Sequence, residues 1–349
     1  YGADALQKLR AAAFDMVLLD ILMPGIDGYG VLTQMKADAQ LRHIPVIMIS
    51  ALDELSSVVR CIEAGAEDYL PKPFNPTLLR ARIGACLEKK QLRDQERKTY
   101  EALVESQKLL AKELAEAAEY VTSILPAKVT KGPITTDWRF LPSTSLGGDA
   151  FGHHWIDDDH LACYLLDVCG HGVGAALLSI SAINVIRSQS LPNTDFRRPS
   201  QVLAALNTAF PMEAQNDMYF TIWYGVYRRS TRQITHGSAG HNPAVMVAPG
   251  GRVTSLASKG PIIGMIEGME YEEEAAPVPV GGRVFLFSDG TFELLKTDGS
   301  RMDYDEFEAH LGTPSGQRGD LDATIAWARD VQGGKPFDDD FSILWLAFA

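Results

Sequence analysis

HLACYLLDVCGHGVGAALL, residues 160–178, reads as an apolar strand closing on Asp167, a glycine-rich turn, and the first turns of a helix over Gly174–Ser188. Three further acidic residues sit at the ends of apolar runs: Asp149 in SLGGDAFG, Asp289 in FLFSDGTFE and Asp339 in FDDDFSILW. Carboxylates clustered at strand ends suit hard cations such as Mg²⁺ or Mn²⁺. A pair of such ions makes water nucleophilic at neutral pH and orients it for in-line attack on phosphorus. The four positions together look like a two-metal cage for hydrolysis. Gly147 and Gly148 before Asp149, and Gly170 and Gly172 after Asp167, free the backbone to approach an ion, although structural turns use the same residue.

Around this stretch, MYFTIWYGVY, QITHGSAG, PAVMVAP, RVFLFSD and FSILWLAF add strand-like runs joined by turns, the pattern of antiparallel sheets. Pro199–Ala209 adds a second covering helix. The N-terminal part differs. There DMVLLD closes at Asp20, PVIMIS at Ser50 and DYLPKP at Lys72, with amphipathic helical stretches over Tyr29–Ala39 and Glu54–Ala64 between them. That alternation predicts a doubly wound α/β sheet, which places its chemistry at the carboxyl ends of its strands. Between the two parts Tyr100, Leu103, Leu110, Leu114, Ala117, Val121 and Ile124 step by three, four and seven, interrupted at Gln107. The stripe fits a short coiled coil, with a single helix packed on a domain as the alternative. Pro126 ends it.

Composition sets bounds. A chain of 349 residues, 46% apolar and 22% charged, holds two domains and a connector. A net charge of −13 with no basic face argues against nucleic acid as partner. No apolar run spans a bilayer and no signal peptide opens the sequence, so a cytoplasmic address is expected. Cys61, Cys86, Cys163 and Cys169 have no C-x-x-C spacing and read as reduced, buried thiols.

The residues DMVLLDILMPGIDGYGVL, PVIMISA and DYLPKPF resemble the receiver domain of two-component response regulators. The resemblance implies that Asp20 is the phosphoacceptor, Ser50 the hydroxyl that follows the phosphoryl group, Lys72 its counter-ion before a cis bond to Pro73, and Tyr69 the switching aromatic. It also implies a sensor histidine kinase as partner. The family's first strand and its acidic pair, which hold Mg²⁺ in a complete receiver, have no counterpart before Tyr1. The expectation is a receiver over 1–87 truncated at its N-terminus and poorly phosphorylated by itself.

Over 126–349, LGGDAFG, DVCGHGVGAALL, SAGHNPAVMV, GPIIGM, FSDGTFE and DDDFSILW resemble in order the metal-dependent serine/threonine phosphatase (PPM) family in its SpoIIE-like branch. The implied fold is an α-β-β-α sandwich of two antiparallel sheets. By resemblance Asp167 bridges two Mn²⁺ or Mg²⁺ ions, the Val168 carbonyl completes the first site, Asp289 and Asp339 hold the second, and Asp149 acts close by. Asp338 and Asp340 leave the register open by one residue. Cys169 is expected as a small buried neighbour, and His171 and His241 as hydrogen-bonded structural histidines beside the site, with protonation of the leaving alkoxide or a hold on metal-bound water as the alternative. The implied substrate is a phosphorylated STAS-type anti-sigma factor antagonist. The helical linker over 88–125 is expected to pair two chains as a homodimer. Two rivals stand beside this reading. One is a pseudophosphatase that only binds its partner. The other is a receiver-linked diguanylate cyclase, against which Ala150 stands where that signature needs a carboxylate.

Overall fold

The computed structural model describes residues 1–51, 55–143 and 146–349. Its two compact units are Tyr1–Leu110 and Ala111–Ala349. In the first, α1 (Gly2–Ala11) precedes β1 (Val17–Asp20), α2 (Gly28–Ala37), β2 (Val46–Ser50), α3 (Leu55–Glu63) and β3 (Asp68–Pro71). The strands pair in parallel in the order β1-β2-β3, with Asp20 opposite Ile49 and Ser50 opposite Pro71. Every residue of the central strand β2 is buried, which is why PVIMIS shows no polar alternation. Asp27 caps α2 by accepting from the Gly30 N–H at 2.8 Å. The Lys72–Pro73 bond is cis, as expected. The predicted start of the second helix, Glu54, lies outside the described residues.

Helix α4 (Pro76–Ile124) is continuous, so no break separates the last receiver helix from the connector, and the boundary between the units falls within it. Its heptad stripe divides into two environments. Tyr100, Leu103 and Leu110 are 67%, 53% and 57% exposed. Leu114, Ala117 and Val121 instead pack with Leu146, Ala176 and Ile180 of the second unit.

The second unit continues with β4 (Ile134–Leu141), β5 (Ala150–Trp155), β6 (His160–Val168), α5 (Val173–Arg187), α6 (Pro199–Ala209), β7 (Phe220–Arg228), β8 (Gln233–Ala239), β9 (Ala244–Val247) and β10 (Val253–Leu256). Then come β11 (Glu274–Pro277), β12 (Arg283–Phe287), α7 (Tyr304–Leu311), α8 (Pro314–Arg318), α9 (Leu321–Val331) and β13 (Phe341–Phe348). The strands form two five-stranded antiparallel sheets, β10-β9-β12-β13-β4 and β11-β8-β7-β6-β5.

Strand parity assigns the layers. Leu161, Cys163 and Leu165 of β6 meet Val284 and Leu286 of β12 and Leu344 and Leu346 of β13 between the sheets. The alternate residues of β6, Ala162, Tyr164 and Leu166, face away and pack with Leu178 and Ile183 of α5 and Leu203 and Leu206 of α6. On the far side Phe285, Phe287 and Ile343 pack with Phe307, Leu321 and Ile325 of α7 and α9. Because both faces of each central strand are covered, the sequence shows continuous apolar runs. Helices α7 to α9 have no counterpart in the sequence reading. They are short, and their signals are caps: Asp303 accepts from Glu306 N–H, Thr313 with Pro314 from Gly316 N–H, and Asp320 from Ala323 N–H.

Candidate active site

The inter-sheet parity that buries Leu161, Cys163 and Leu165 continues to Asp167, and that of Phe151 back to Asp149. In β13 the inward set Leu344 and Leu346 runs back through Ser342 to Asp340, and in β12 Val284 and Leu286 run forward to Ser288. One end of the sandwich core is therefore a polar belt of Asp149, Asp167, Ser288, Asp340 and Ser342, four of them at most 4% exposed. Asp289 follows in the 3₁₀ turn Asp289–Thr291, and Asp339 lies just before β13, exposed.

A cavity of about 500 Å³ opens here, lined by Asp167, Val168, Cys169, His171, Asp289 and Asp339 among others. A second of about 200 Å³ shares Asp289 and Asp339 and adds Glu293 and Arg301. Asp149 lines neither cavity, and its carboxyl stands close enough to that of Asp167 for their charges to act on each other. The four predicted aspartates and Val168 are thus brought together at one end of the sandwich. His171 stands exposed at the cavity. His241 is buried and does not line either cavity; its Nδ1 is 2.9 Å from the Asn242 carbonyl oxygen. Cys169 is only half-buried, contrary to expectation, because it faces the cavity, where its Sγ accepts from the Tyr219 N–H at 3.2 Å.

Crowding shows in the electrostatics. Burial, then the charges of Asp167 and Asp340, push the Asp149 carboxyl well above the usual range. Burial followed by Asp289, Asp339 and Asp340 pushes Asp167 up to about 8, and burial followed by Asp339 and Glu293 pushes Asp289 up to about 6. Asp149 Oδ2 is buried without a hydrogen-bond partner. Among the described residues no three His, Cys, Asp or Glu side chains form a finished cage for a cation. The donor set is nonetheless all oxygen, lacks any nearby basic counter-charge in these shifts, and leaves one buried carboxylate oxygen unsatisfied, which fits hard divalent cations.

Asp340 was visible in the sequence only as an ambiguity of register. Its Oδ1 accepts from Ser143 N–H at 2.8 Å and Ser143 Oγ at 3.2 Å, while Oδ2 accepts from Gly148 N–H at 2.8 Å and Asp149 N–H at 3.5 Å. This buried carboxylate holds the chain that delivers Asp149. It also corrects the reading of the glycine pair as room for an ion. A Cβ on Gly147 would stand 2.2 Å from Asp340 Oδ2, and one on Gly148 would stand 2.7 Å from the Val168 carbonyl oxygen. Those glycines admit protein atoms.

In the first unit, Asp20 ends β1 and Lys72 follows β3, with Lys72 Nζ 2.5 Å from Asp20 Oδ2. The Lys72 hydrogen bond leads the causes that hold Asp20 below the usual carboxylate range. Ser50 is fully buried at the end of β2, and Tyr69 is buried in β3.

Comparison with known proteins places these sites in families. The sequence profile of Stage II sporulation protein E (SpoIIE) matches residues 157–349, more than half of the chain. The chain belongs to the SpoIIE family. Asp167, Asp289 and Asp339 lie inside the SpoIIE segment, and Asp149 lies just before it. A response regulator receiver domain matches residues 1–84. Phosphoserine phosphatase RsbP of Bacillus subtilis (strain 168) is 28% identical over 198 residues, 53% of this chain and 48% of its own length. Probable transcriptional regulator ycf27 of Cyanidium caldarium is 38% identical over 100 residues, 29% of this chain and 39% of its own. The chain thus spans less than half of either relative. The SiaA-PP2C domain of Pseudomonas aeruginosa superposes with a TM-score of 0.61 at 21% identity, covering 70% of this chain and 99% of that one. The SpoIIE-family unit has the PP2C fold. Among the described residues no helix is long and apolar enough to cross a membrane.

The buried ionisable groups set opposing pH dependences. Burial lowers His154, His236 and His241 to about 4. Between that value and the unfolded histidine value of about 6.5 the unfolded chain binds more protons, so these rings make stability fall as pH drops. Asp167 and Asp289 are raised, so without cations the folded state holds the extra protons and stability falls as pH rises from about 4 towards 8. With saturating Mn²⁺, scanning calorimetry should show Tm decreasing from pH 7 to pH 5 by on the order of 5 °C. With chelator that decrease should be blunted, and the gap between the two conditions should widen at pH 8. A gap independent of pH would contradict the titration argument.

Proposed function

We propose that the SpoIIE-family unit is a divalent-metal-dependent protein serine/threonine phosphatase, controlled by the receiver unit through phosphorylation of Asp20. The observation that carries this reading is the meeting of Asp149, Asp167, Asp289 and Asp339 at one end of the sandwich, around a cavity wide enough for a phosphorylated side chain. Similarity to a phosphoserine phosphatase over 53% of the chain supports it.

Asp167, the Val168 carbonyl, Asp289 and Asp339 would hold Mn²⁺ or Mg²⁺, with Asp149 close behind. Such ions would supply the positive charge that ionises these carboxylates, activates water and offsets charge on the phosphoryl oxygens. Asp340 keeps the chain at Asp149 in place through the Gly148 and Asp149 N–H groups, and the cavity admits the phosphoester. His171 at the cavity is the side chain placed to assist the leaving alkoxide. The substrate proposed is a phosphorylated STAS-type anti-sigma factor antagonist, and a sensor histidine kinase is the proposed phosphoryl source for Asp20. Receiver phosphorylation then biases α4, a population shift between two helix arrangements. Incubation of the chain with a phosphoserine-bearing STAS protein tests the reading: phosphate should be released with Mn²⁺ and not with EDTA. Tight binding without release would favour the pseudophosphatase instead.

The exposed part of the α4 stripe is the proposed dimer seam. Leu103→Asp with Leu110→Asp should lower the mass measured by light scattering towards that of one chain. Leu114→Asp should lower thermal stability as well, since that residue packs on the second unit. An unchanged mass in the double variant counts against the seam.

A further inference from the structure

A cavity of about 460 Å³ lies in the second unit between the end of α4, β4, β5 and α5, and it shares no lining residue with the two cavities of the carboxylate site. Its size falls in the range of roughly 300–1,000 Å³ usual for small-molecule sites. Ile134, Phe151, Leu161 and Ile183 supply apolar walls.

Its polar lining is one-signed. Arg187 donates to the Ile124 carbonyl at 3.3 Å and to Asn184 Oδ1 at 3.0 Å, and among the described residues it pairs with no carboxylate. Lys131 also lines the cavity without an acidic partner among the described residues. This occurs in a chain of 45 acidic and 32 basic residues, where many other surface cations have found partners. No aspartate or glutamate lines the cavity among the described residues. His154 adds a ring whose Nδ1 is 3.4 Å from the Tyr164 hydroxyl and whose Nε2 is buried without a partner.

We propose that this cavity is a binding site for a small amphipathic carboxylate, its aryl body on the apolar part of the lining and its carboxylate at the exposed Arg187 and Lys131. Charge complementarity selects the anion, because guanidinium and carboxylate form the stronger class of hydrogen bond, and the apolar walls select the body. Such a ligand would rest on β5, which begins one residue after Asp149. The site stands independently of the phosphatase reading, since none of its residues belongs to the carboxylate cluster.

Calorimetric titration of the full chain with 1-naphthylacetate and with the uncharged 2-(1-naphthyl)ethanol tests it. The acid should bind saturably, one per chain, and about tenfold or more tighter than the alcohol. Arg187→Gln should remove that preference by weakening the acid alone. Ala127→Trp, at an exposed lining position, should block both probes. Absence of saturable binding, equal affinity for acid and alcohol, or acid binding untouched by Ala127→Trp would overturn the proposal.

Discussion

Asp167→Asn and Asp289→Asn should each reduce Mn²⁺-dependent phosphate release by about 10³-fold or more, since each removes an anionic oxygen from the proposed cation site. Neither should unfold the protein. Burial and neighbouring aspartates already hold Asp167 up to about 8 and Asp289 up to about 6, so a neutral amide relieves repulsion that the cation-free fold tolerates. The Tm of either variant in EDTA at pH 8 should therefore equal or exceed that of the parent. Adding Mn²⁺ should then raise it less than in the parent, because binding to the folded state alone is what stabilises. Turnover within tenfold of the parent in either variant would remove the site. A large drop in Tm without metal would show that the carboxylates serve the fold instead.

Asp340→Ala should lower thermal stability where Asp339→Ala does not. Among the described residues Asp340 accepts four hydrogen bonds, from Ser143, Gly148 and Asp149, in a buried setting, and its loss leaves those donors unpaired. The cost should be about 3–5 kcal/mol, the scale for removing one partner from a buried charged network. For a unit of this size that corresponds to a fall in Tm of roughly 6–20 °C. Activity should fall too, because Asp149 loses the anchor of its own N–H. Asp339 is exposed and lines both cavities, so Asp339→Ala should lose activity with Tm nearly unchanged. Thermal denaturation paired with phosphate release measures both. Equal Tm values for the two variants would refute the division of labour.

Much of this was legible in the residues. Runs such as VIMIS and FLF carry no polar alternation because both faces are covered, and that alone marks them as central strands. The four aspartates were legible because each interrupts or ends such a run. Asp340 was not, because deciding which of three adjacent aspartates points inward requires the parity of β13 against β12, a property of pairing between distant segments. Helices α7 to α9 were missed because five to eleven residues give too little periodicity, although Asp303, Thr313 and Asp320 announce their starts. The α4 stripe continued through Leu114 to Val121 on a regular step, yet local sequence says nothing of whether a helix face meets another chain or, as in that segment, Leu146 and Ala176.

The alternation along β13 has a consequence for how this unit tolerates changes in length. Upstream of Phe337 the chain turns through Gly333 and Gly334, both with positive φ and exposed, and an extra residue there only enlarges a surface bend. One residue added between Asp340 and Phe341 would itself take the anchoring seat and send Asp340 out to solvent, while every apolar side chain beyond kept its place. The two sides of this short junction should thus differ sharply in an insertion scan: permissive before the aspartate run, prohibitive immediately after it.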